Sequence, residues 1–280
     1  MHYQDTLRVG AAQINTSLGD INLNLERHLE MIAEARERQL ALLVFPELSL
    51  TGYGLGSDVM QVAMPLEDPL LARLARAAGE MQAVVGFVEE ASPGEYYNAL
   101  AILQDGEIVA VHRKLNLPTY GGLEEGKWFT HGNALTQTTV RPGWSATQLI
   151  CADLWNPALV HAALLPRPTV LCAPINSASG IVSEAFSNEQ NWALNLHFYA
   201  MTYGTPVIMA NRYGSEGKNH FWGGSRILGP RGERLAEAED REMLITAELS
   251  RTAIAKARFE LPTLRDADTP LIRELMAGYR

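Results

Sequence analysis

Cysteine is scarce in this sequence of 280 residues, which contains only Cys151 and Cys172. Two cysteines without a CxxC pair argue against a disulfide framework and against a thiolate zinc site, and they favour a reducing compartment. Apolar runs of the roughly 20 residues that cross a bilayer are also missing. The polar beginning, residues 1–7, does not fit a signal peptide. We therefore expect a cytoplasmic protein that is not inserted in a membrane.

Basic residues are outnumbered by acidic ones, with 23 Lys and Arg against 32 Asp and Glu and a formal net charge of −9. This balance argues against nucleic acid or an anionic membrane as the partner, because both favour basic surfaces. It places no constraint on a small-molecule substrate. Hydrophobic residues make up 47% and charged residues 20% of the chain, as in ordinary soluble enzymes.

Low-complexity linkers, internal repeats and breaks in composition are missing as well, so we expect a single domain over residues 1–280. Strand and helix patterns alternate in the first part of the chain, with a strand over 7–14 and a helix over 22–38. Hairpins are favoured in the middle, where Asp105 and Gly106 suit a tight turn. This mixture predicts an α/β protein with one mixed sheet, or two sheets, covered by helices.

Three apolar runs of the strand type each end on a side chain suited to catalysis. The first ends with an acid, the second with a cation and the third with a thiol, and these are Glu47, Lys114 and Cys151. Functional groups in α/β proteins often gather where strands end. We therefore expect the three side chains to converge at one edge of a sheet.

A nucleophilic thiol needs a base to take its proton and a donor to stabilise the oxyanion. Cys151 ends its apolar run, whereas Cys172 lies inside one and is expected to be a buried core residue. Glu47 should be partly desolvated, which suits a general base, and Lys114 beside carboxylates should stay charged and polarise the substrate. Two alternatives stay open: His112 as the base, and a buried Glu–Lys ion pair that only joins two strands.

The segments that carry these residues resemble the three signatures of the nitrilase (carbon–nitrogen hydrolase) superfamily. They are Phe45–Tyr53, His112–Pro118 and Ile150–Trp155, with the glutamate, lysine and cysteine in the family's order. Further similarity is found in 211–214 and 221–225. The resemblance implies an α/β fold, namely a four-layer α-β-β-α sandwich of two mixed sheets flanked by helices. It also implies a homodimer or a higher homo-oligomer.

The resemblance further implies a hydrolase that needs no metal and no organic cofactor. In that scheme Glu47 takes the thiol proton, Cys151 attacks a carboxamide carbon to form a thioester, and Lys114 holds the oxyanion. Glu125 is similar to a second carboxylate of the family that positions the lysine and the substrate amine. Ammonia or an amine leaves, and water releases the acid. The expected partner is therefore a small-molecule amide.

The residues after the candidate nucleophile favour the amidase branches, because Ala152-Asp153 stands where nitrilases usually have Trp-Glu. The alternatives are a nitrilase, an N-carbamoyl-amine amidohydrolase, or a non-catalytic binding protein of the same fold. We expect Asp153 to be exposed just past the nucleophile, where it orients the loop through hydrogen bonds with the backbone. The candidate substrate-binding residues are Tyr53, Tyr120, Asp153, Trp155, Asn176 and Ser177. Whether Trp155, Trp192 and Trp222 line a pocket or belong to the core stays open at this point.

Overall fold

A computed structural model describes residues 4–279 of the chain. Residues 1–3, which belong to the polar beginning considered above, lie outside the described residues. The strands are β1 Thr6–Gln13, β2 Leu42–Val44, β3 Gln82–Ser92, β4 Glu95–Gln104, β5 Glu107–Arg113, β6 Gln137–Arg141, β7 Trp144–Gln148, β8 Val170–Ile175, β9 Val207–Asn211, β10 Tyr213–Glu216, β11 Asn219–Trp222, β12 Arg226–Leu228, β13 Arg234–Glu237 and β14 Met243–Ser250. The helices are α1 Ile21–Glu37, α2 Val59–Val62, α3 Pro69–Ala78, α4 Pro157–Leu164, α5 Asn188–Tyr203, α6 Arg251–Glu260, α7 Thr263–Asp266 and α8 Thr269–Ala277.

Twelve of these strands form two six-stranded sheets, and β10 and β11 form a separate hairpin. The first sheet has the order β14-β1-β2-β3-β4-β5, and the second has the order β13-β12-β9-β8-β7-β6. Both sheets are mixed: β1, β2 and β3 run parallel, as do β7, β8 and β9, while the remaining pairs are antiparallel.

The inner strands of the first sheet, β2 to β4, are largely buried on both faces, which explains their nearly continuous apolar sequence. In β2, Leu42 and Val44 pack with residues of the second sheet such as Ile208, whereas Leu43 packs with the side chains of α1 and α3. This alternation is the two-residue period of a strand. A third cluster joins the second sheet to α4 and α5. The three clusters confirm the predicted four-layer α-β-β-α sandwich.

The outer helices begin and end where the sequence provides caps. Asp20 caps α1 by accepting a hydrogen bond from the backbone N–H of Leu23, and Ser187 caps α5 in the same way. α5 ends at Gly204, whose left-handed backbone suits a glycine. Among residues 4–279, no helix is long and apolar enough to cross a membrane.

Candidate active site

Glu47, Lys114 and Cys151 lie just beyond the ends of three strands, as expected, but these strands belong to two sheets. β2 and β5 point the same way in the first sheet, since two antiparallel pairings separate β3 from β5. Glu47 and Lys114 therefore meet at one edge of that sheet. Cys151 follows β7 of the second sheet. The prediction of a single sheet edge was wrong, because the site forms where the two packed sheets face each other.

The ammonium group of Lys114 lies between two buried carboxylates. Its Nζ donates to Glu47 Oε1 at 2.5 Å and to Glu125 Oε1 at 2.7 Å. The side chains of Lys114 and Glu47 have no exposed surface, and that of Glu125 is 4% exposed. The neighbouring Glu124 is exposed and pairs with Lys127 instead. The structure thus places Glu125, not Glu124, beside the lysine.

Asn98 and Tyr53 donate further hydrogen bonds to the two carboxylates. Asn98 Nδ2 donates to Glu47 Oε1 at 2.8 Å, and the Tyr53 hydroxyl donates to Glu125 Oε1 at 2.6 Å. Among residues 4–279, no group hydrogen-bonds the other oxygen of Glu47, Oε2, which is buried. A buried carboxylate oxygen without a donor is available to accept a proton. Asn98 was not predicted, although a polar residue at the head of the apolar β4 run was a signal for it.

The pKa values of Lys114 and Glu125 are both raised, but for different reasons. Burial alone would lower the pKa of Lys114, but the carboxylates of Glu125 and Glu47 outweigh it and raise that pKa, so the lysine stays charged. Burial raises the pKa of Glu125 and the Glu47 charge adds to the rise, while Lys114 opposes it. Glu125 therefore holds a proton closer to neutral pH than an exposed glutamate does.

Cys151 opens a single 3-10 turn, Cys151–Trp155, in a backbone conformation that is unusual for its type. Its φ is +41°, in the left-handed region that few residues other than glycine adopt. Burial and the Glu47 charge raise the pKa of the thiol, while the Lys114 charge and the backbone of Asn176 lower it. Cys172 differs: it is fully buried inside β8, and burial alone raises its pKa.

Asp153 is buried, so the prediction of an exposed side chain was wrong. One of its oxygens, Oδ1, accepts from the backbone N–H groups of Leu115 at 3.0 Å and Asn116 at 2.7 Å. The other, Oδ2, accepts from the N–H of Ile150 at 3.0 Å. Both oxygens of the carboxylate therefore bind backbone groups of the protein itself. They also connect the residue after Lys114 to the residue before Cys151.

His112, the alternative base, lies beside Asp153 and not beside the thiol. Its Nε2 is 3.6 Å from Asp153 Oδ2, and its Nδ1 is 3.3 Å from Thr136 Oγ1. The ring is fully buried and does not line the cavity at Cys151. This placement disfavours His112 as the base and leaves Glu47 as the acid–base candidate.

Replacing Asp153 with asparagine is expected to loosen the link between the Lys114 and Cys151 segments. Both carboxylate oxygens accept hydrogen bonds from backbone N–H groups. In asparagine an NH₂ group replaces one of these oxygens, so this NH₂ group would face at least one N–H donor. We expect about 2 kcal/mol lower stability and about a 10-fold lower kcat with KM little changed, since misplaced reacting groups slow chemistry more than binding.

Melting temperature and steady-state kinetics check this expectation, with the exposed Asp240→Asn as the matched control. Alkylation of Cys151 by iodoacetamide reports separately on the position of the thiol and should also be slower in Asp153→Asn. An Asp153→Asn protein that melts earlier but keeps its kcat would restrict this residue to a role in stability.

Gly86 allows the turn that carries Glu47 to pack directly on β3. A Cβ atom at this position would lie 2.4 Å from the Leu48 nitrogen and 2.5 Å from the Pro46 oxygen. Both are backbone atoms, so only a shift of the turn would relieve the clash. The Gly86 N–H also donates to Ser49 Oγ at 3.2 Å. Glycine is thus required here by close approach, and the position of Glu47 depends on it.

A small cavity of about 30 Å³ adjoins Cys151 and Glu125. Of the predicted substrate-binding residues, five line it and Asp153 does not; the five are Tyr53, Tyr120, Trp155, Asn176 and Ser177. Sequence reasoning missed several others that also line it, including Leu123, Ile181, Val182 and Asn188. They lie in loops or at the beginning of a helix, where no hydrophobic period marks them.

The three tryptophans left open by the sequence divide between the cavity and its surroundings. Trp155 and Trp192 line the cavity, with their ring centroids 4.7 Å apart. Trp222 packs on the core of the second sheet, and its Nε1 donates to Ser177 Oγ at 3.3 Å. It therefore supports a wall residue and is not part of the lining.

Among the residues that the structure describes, no cluster of three or more His, Cys, Asp or Glu side chains is arranged to hold a metal ion. The groups at the site are instead a thiol, a lysine, two carboxylates and neutral amides. Comparison with protein families matches residues 8–259 to the family described as carbon-nitrogen hydrolase. The chain belongs to the carbon–nitrogen hydrolase family. This family is part of the nitrilase superfamily, to which the three sequence signatures pointed.

Similar proteins of this family include several amidases. The chain is 32% identical to a glutamine-dependent NAD(+) synthetase of Thermotoga maritima over 81% of its own length, and it spans about two fifths (39%) of that relative. It is 27% identical to the N-carbamoylputrescine amidase of Arabidopsis thaliana, covering 92% of this chain and 91% of that protein.

A solved structure with the same fold is the amidase from Nesterenkonia sp. AN1. It has a TM-score of 0.81 and 24% identity, and the match covers 96% of this chain and 99% of that one. A mutant of that amidase shows the result of Michael addition of acrylamide at its active site cysteine. At this identity the likeness shows that the two proteins share a fold, and it does not identify the substrate of this chain.

Proposed function

We propose that this protein is an amidase that hydrolyses the C–N bond of a small carboxamide through a thioester on Cys151. Glu47 takes the proton from the thiol, the sulfur attacks the carbonyl carbon, and Lys114 stabilises the oxyanion. The C–N bond then breaks, and the nitrogen takes the proton from Glu47 and leaves as ammonia or an amine. Water gives a proton to Glu47 and hydrolyses the thioester, which releases the acid and returns the thiol.

The observation that carries this proposal is that the two oxygens of Glu47 have different surroundings. Oε1 binds Lys114 and Asn98, whereas Oε2 is buried and has no partner in the described part of the chain. A purely structural ion pair has no need of an unpartnered acceptor, which costs stability when buried. A general base that exchanges protons with a thiol and with water does need one.

Glu125 has a supporting role in this proposal. It receives hydrogen bonds from Lys114 and Tyr53 and also lines the cavity. It can therefore hold the lysine in place and meet the leaving nitrogen at the same time.

We also propose that the chain forms one domain, because both sheets supply residues to the site.

Ammonia release and trapping of the acyl-enzyme test the proposal together. The protein is incubated with small amides, N-carbamoyl amines and nitriles, and ammonia is measured. Acid-quenched samples are then analysed by intact mass and peptide mapping. We expect ammonia from amides and an added acyl mass on the peptide with Cys151. Ammonia from nitriles alone would favour a nitrilase, and an unmodified Cys151 with no turnover would favour a binding protein.

We also propose that the protein forms a homodimer or a higher homo-oligomer. Leu194, Phe198 and Met201 follow one another along one side of α5 and are 71%, 54% and 46% exposed. Such a contiguous apolar patch on an outer helix favours association between copies. Sedimentation velocity of the purified protein measures whether two copies associate.

A further inference from the structure

The cavity beside Cys151 has a largely apolar wall. Its volume is about 30 Å³, which favours a small group beside the thiol. In the described chain, its lining includes no Lys, Arg, His or Asp side chain, and Glu125 is its one carboxylate. The apolar part of the wall includes Leu123, Trp155, Ile181, Val182 and Trp192.

A charged substrate group would find no free counter-charge in this wall. Glu125 Oε1 already accepts from Lys114 and Tyr53, and its Oε2 faces Asn98 Nδ2 at 3.5 Å. The Lys114 ammonium is already paired with two carboxylates and is not among the residues that line the cavity. Burying an ion without a partner is strongly unfavourable. The cavity therefore selects against ammonium and carboxylate groups on the acyl part of a substrate.

The polar part of the wall offers an acceptor for N–H groups. Asn176 Nδ2 donates to the backbone oxygen of Glu47 at 2.9 Å, and this contact fixes the orientation of the amide because a carbonyl oxygen only accepts. Its own Oδ1 then has no partner within residues 4–279, although the side chain is only 4% exposed. A buried carbonyl oxygen of this kind attracts an N–H donor and repels a carboxylate.

Two loop segments close the cavity and limit the length of the acyl group. The Gly122 N–H donates to the Ile181 oxygen at 2.9 Å. A Cβ on Gly121 would lie 2.5 Å from the same oxygen, and its φ of +60° also requires glycine. The loops are thus in direct contact beside Leu123 and Val182. A long acyl chain would have to separate them, whereas a short one would not.

We propose that the substrate is a short, uncharged carboxamide that has an apolar acyl group and at least one N–H. This inference rests on the proposed amidase function and names its substrate class. The carboxamide N–H binds Asn176 Oδ1, and the acyl chain lies among Leu123, Val182 and the two indole rings. Amides with a carboxylate or an ammonium group at the far end of the acyl chain are poor substrates.

The experiment compares three amides with the full-length protein at one pH. Butyramide is uncharged, 3-aminopropanamide has the same number of heavy atoms with a terminal ammonium, and succinamate has a terminal carboxylate. We expect kcat/KM for butyramide to exceed both others by at least about 100-fold, since a mismatched buried polar group discriminates strongly. Hexanamide should also be slower than butyramide, because the cavity is short.

Val182→Arg tests the same inference by adding the missing counter-charge, with Val182→Leu as the control for size. In Val182→Arg the ratio of succinamate to butyramide turnover should rise at least about 10-fold, while Val182→Leu should keep the wild-type ratio. Melting temperatures show that both variants fold.

Three results would overturn the substrate class and leave the amidase function intact. They are equal or faster turnover of either charged amide by the wild type, hexanamide faster than butyramide, and an unchanged ratio in folded Val182→Arg. A protein that hydrolyses none of these amides and forms no adduct on Cys151 would instead overturn the amidase function itself.

Discussion

Cys151→Ala is expected to abolish amide hydrolysis, with kcat/KM reduced on the order of 10⁴-fold or more, as for other enzymes that lose their nucleophile. The loss follows from the proposed thioester, which no other group at the site can form. The thiol of Cys151 adjoins the cavity. Ammonia release at saturating amide, normalised to folded protein by circular dichroism, provides the measurement.

Cys172→Ala is the matched control for this prediction. Cys172 is fully buried in β8 and is absent from the cavity lining. Removing one sulfur from the core should lower stability by about 1 kcal/mol and leave turnover within about 2-fold. If Cys151→Ala stays active, or if folded Cys172→Ala loses as much activity, the thioester mechanism fails.

Glu47→Gln is expected to lower kcat about 10³-fold, in the range that general acid–base groups contribute. Glutamine has the same shape but takes no proton from the thiol or from water. Lys114 keeps its contact with Glu125 at 2.7 Å, so the lysine should remain bound in the site. Alkylation of Cys151 by iodoacetamide should slow in parallel, since the thiolate forms less readily without its base. The exposed Glu124→Gln should behave as the wild type.

The double variant Glu47→Gln/Lys114→Met separates catalysis from a structural ion pair. The two neutral side chains remove the Glu47–Lys114 pair, and Glu125, which loses its contact with Lys114, can take up a proton because burial raises its pKa. If the pair only joined two strands, a folded double variant would recover most of the activity lost in Glu47→Gln. Under the proposed mechanism it lacks both the base and the oxyanion donor, and its activity stays at or below that of the single variant.

The buried strands could be predicted from the sequence because their signals are local, whereas the order of the four layers was implied by the family resemblance. Runs such as 42–45 and 170–173 are apolar on both faces, which indicates strands covered on both sides. Asp20 and Ser187 cap the first turns of α1 and α5, and capping residues of these types can be recognised in a sequence. The short hairpin of β10 and β11 was missed, since its mixed residues 213–222 lack a clear period.

Asp153 shows where sequence reasoning failed at the site. Its position after the nucleophile suggested an exposed residue, yet the turn directs it inward to three backbone N–H groups. Two of these donors are 38 and 37 residues away in sequence. Such a partner becomes visible only when the strands are packed. The same applies to Asn98, whose amide reaches across 51 residues to Glu47.

The sequence by itself determined the family and the candidate groups: an acid, a cation and a thiol at strand ends, in the order of the carbon–nitrogen hydrolase family that residues 8–259 match. Tertiary structure decided the environment of those groups. Packing two sheets face to face left one oxygen of Glu47 without a partner among residues 4–279, enclosed Lys114 between two carboxylates, and lined the cavity with apolar loop residues. The physical reason is that desolvation and hydrogen-bond pairing depend on which distant segments meet, and local sequence does not encode those distances.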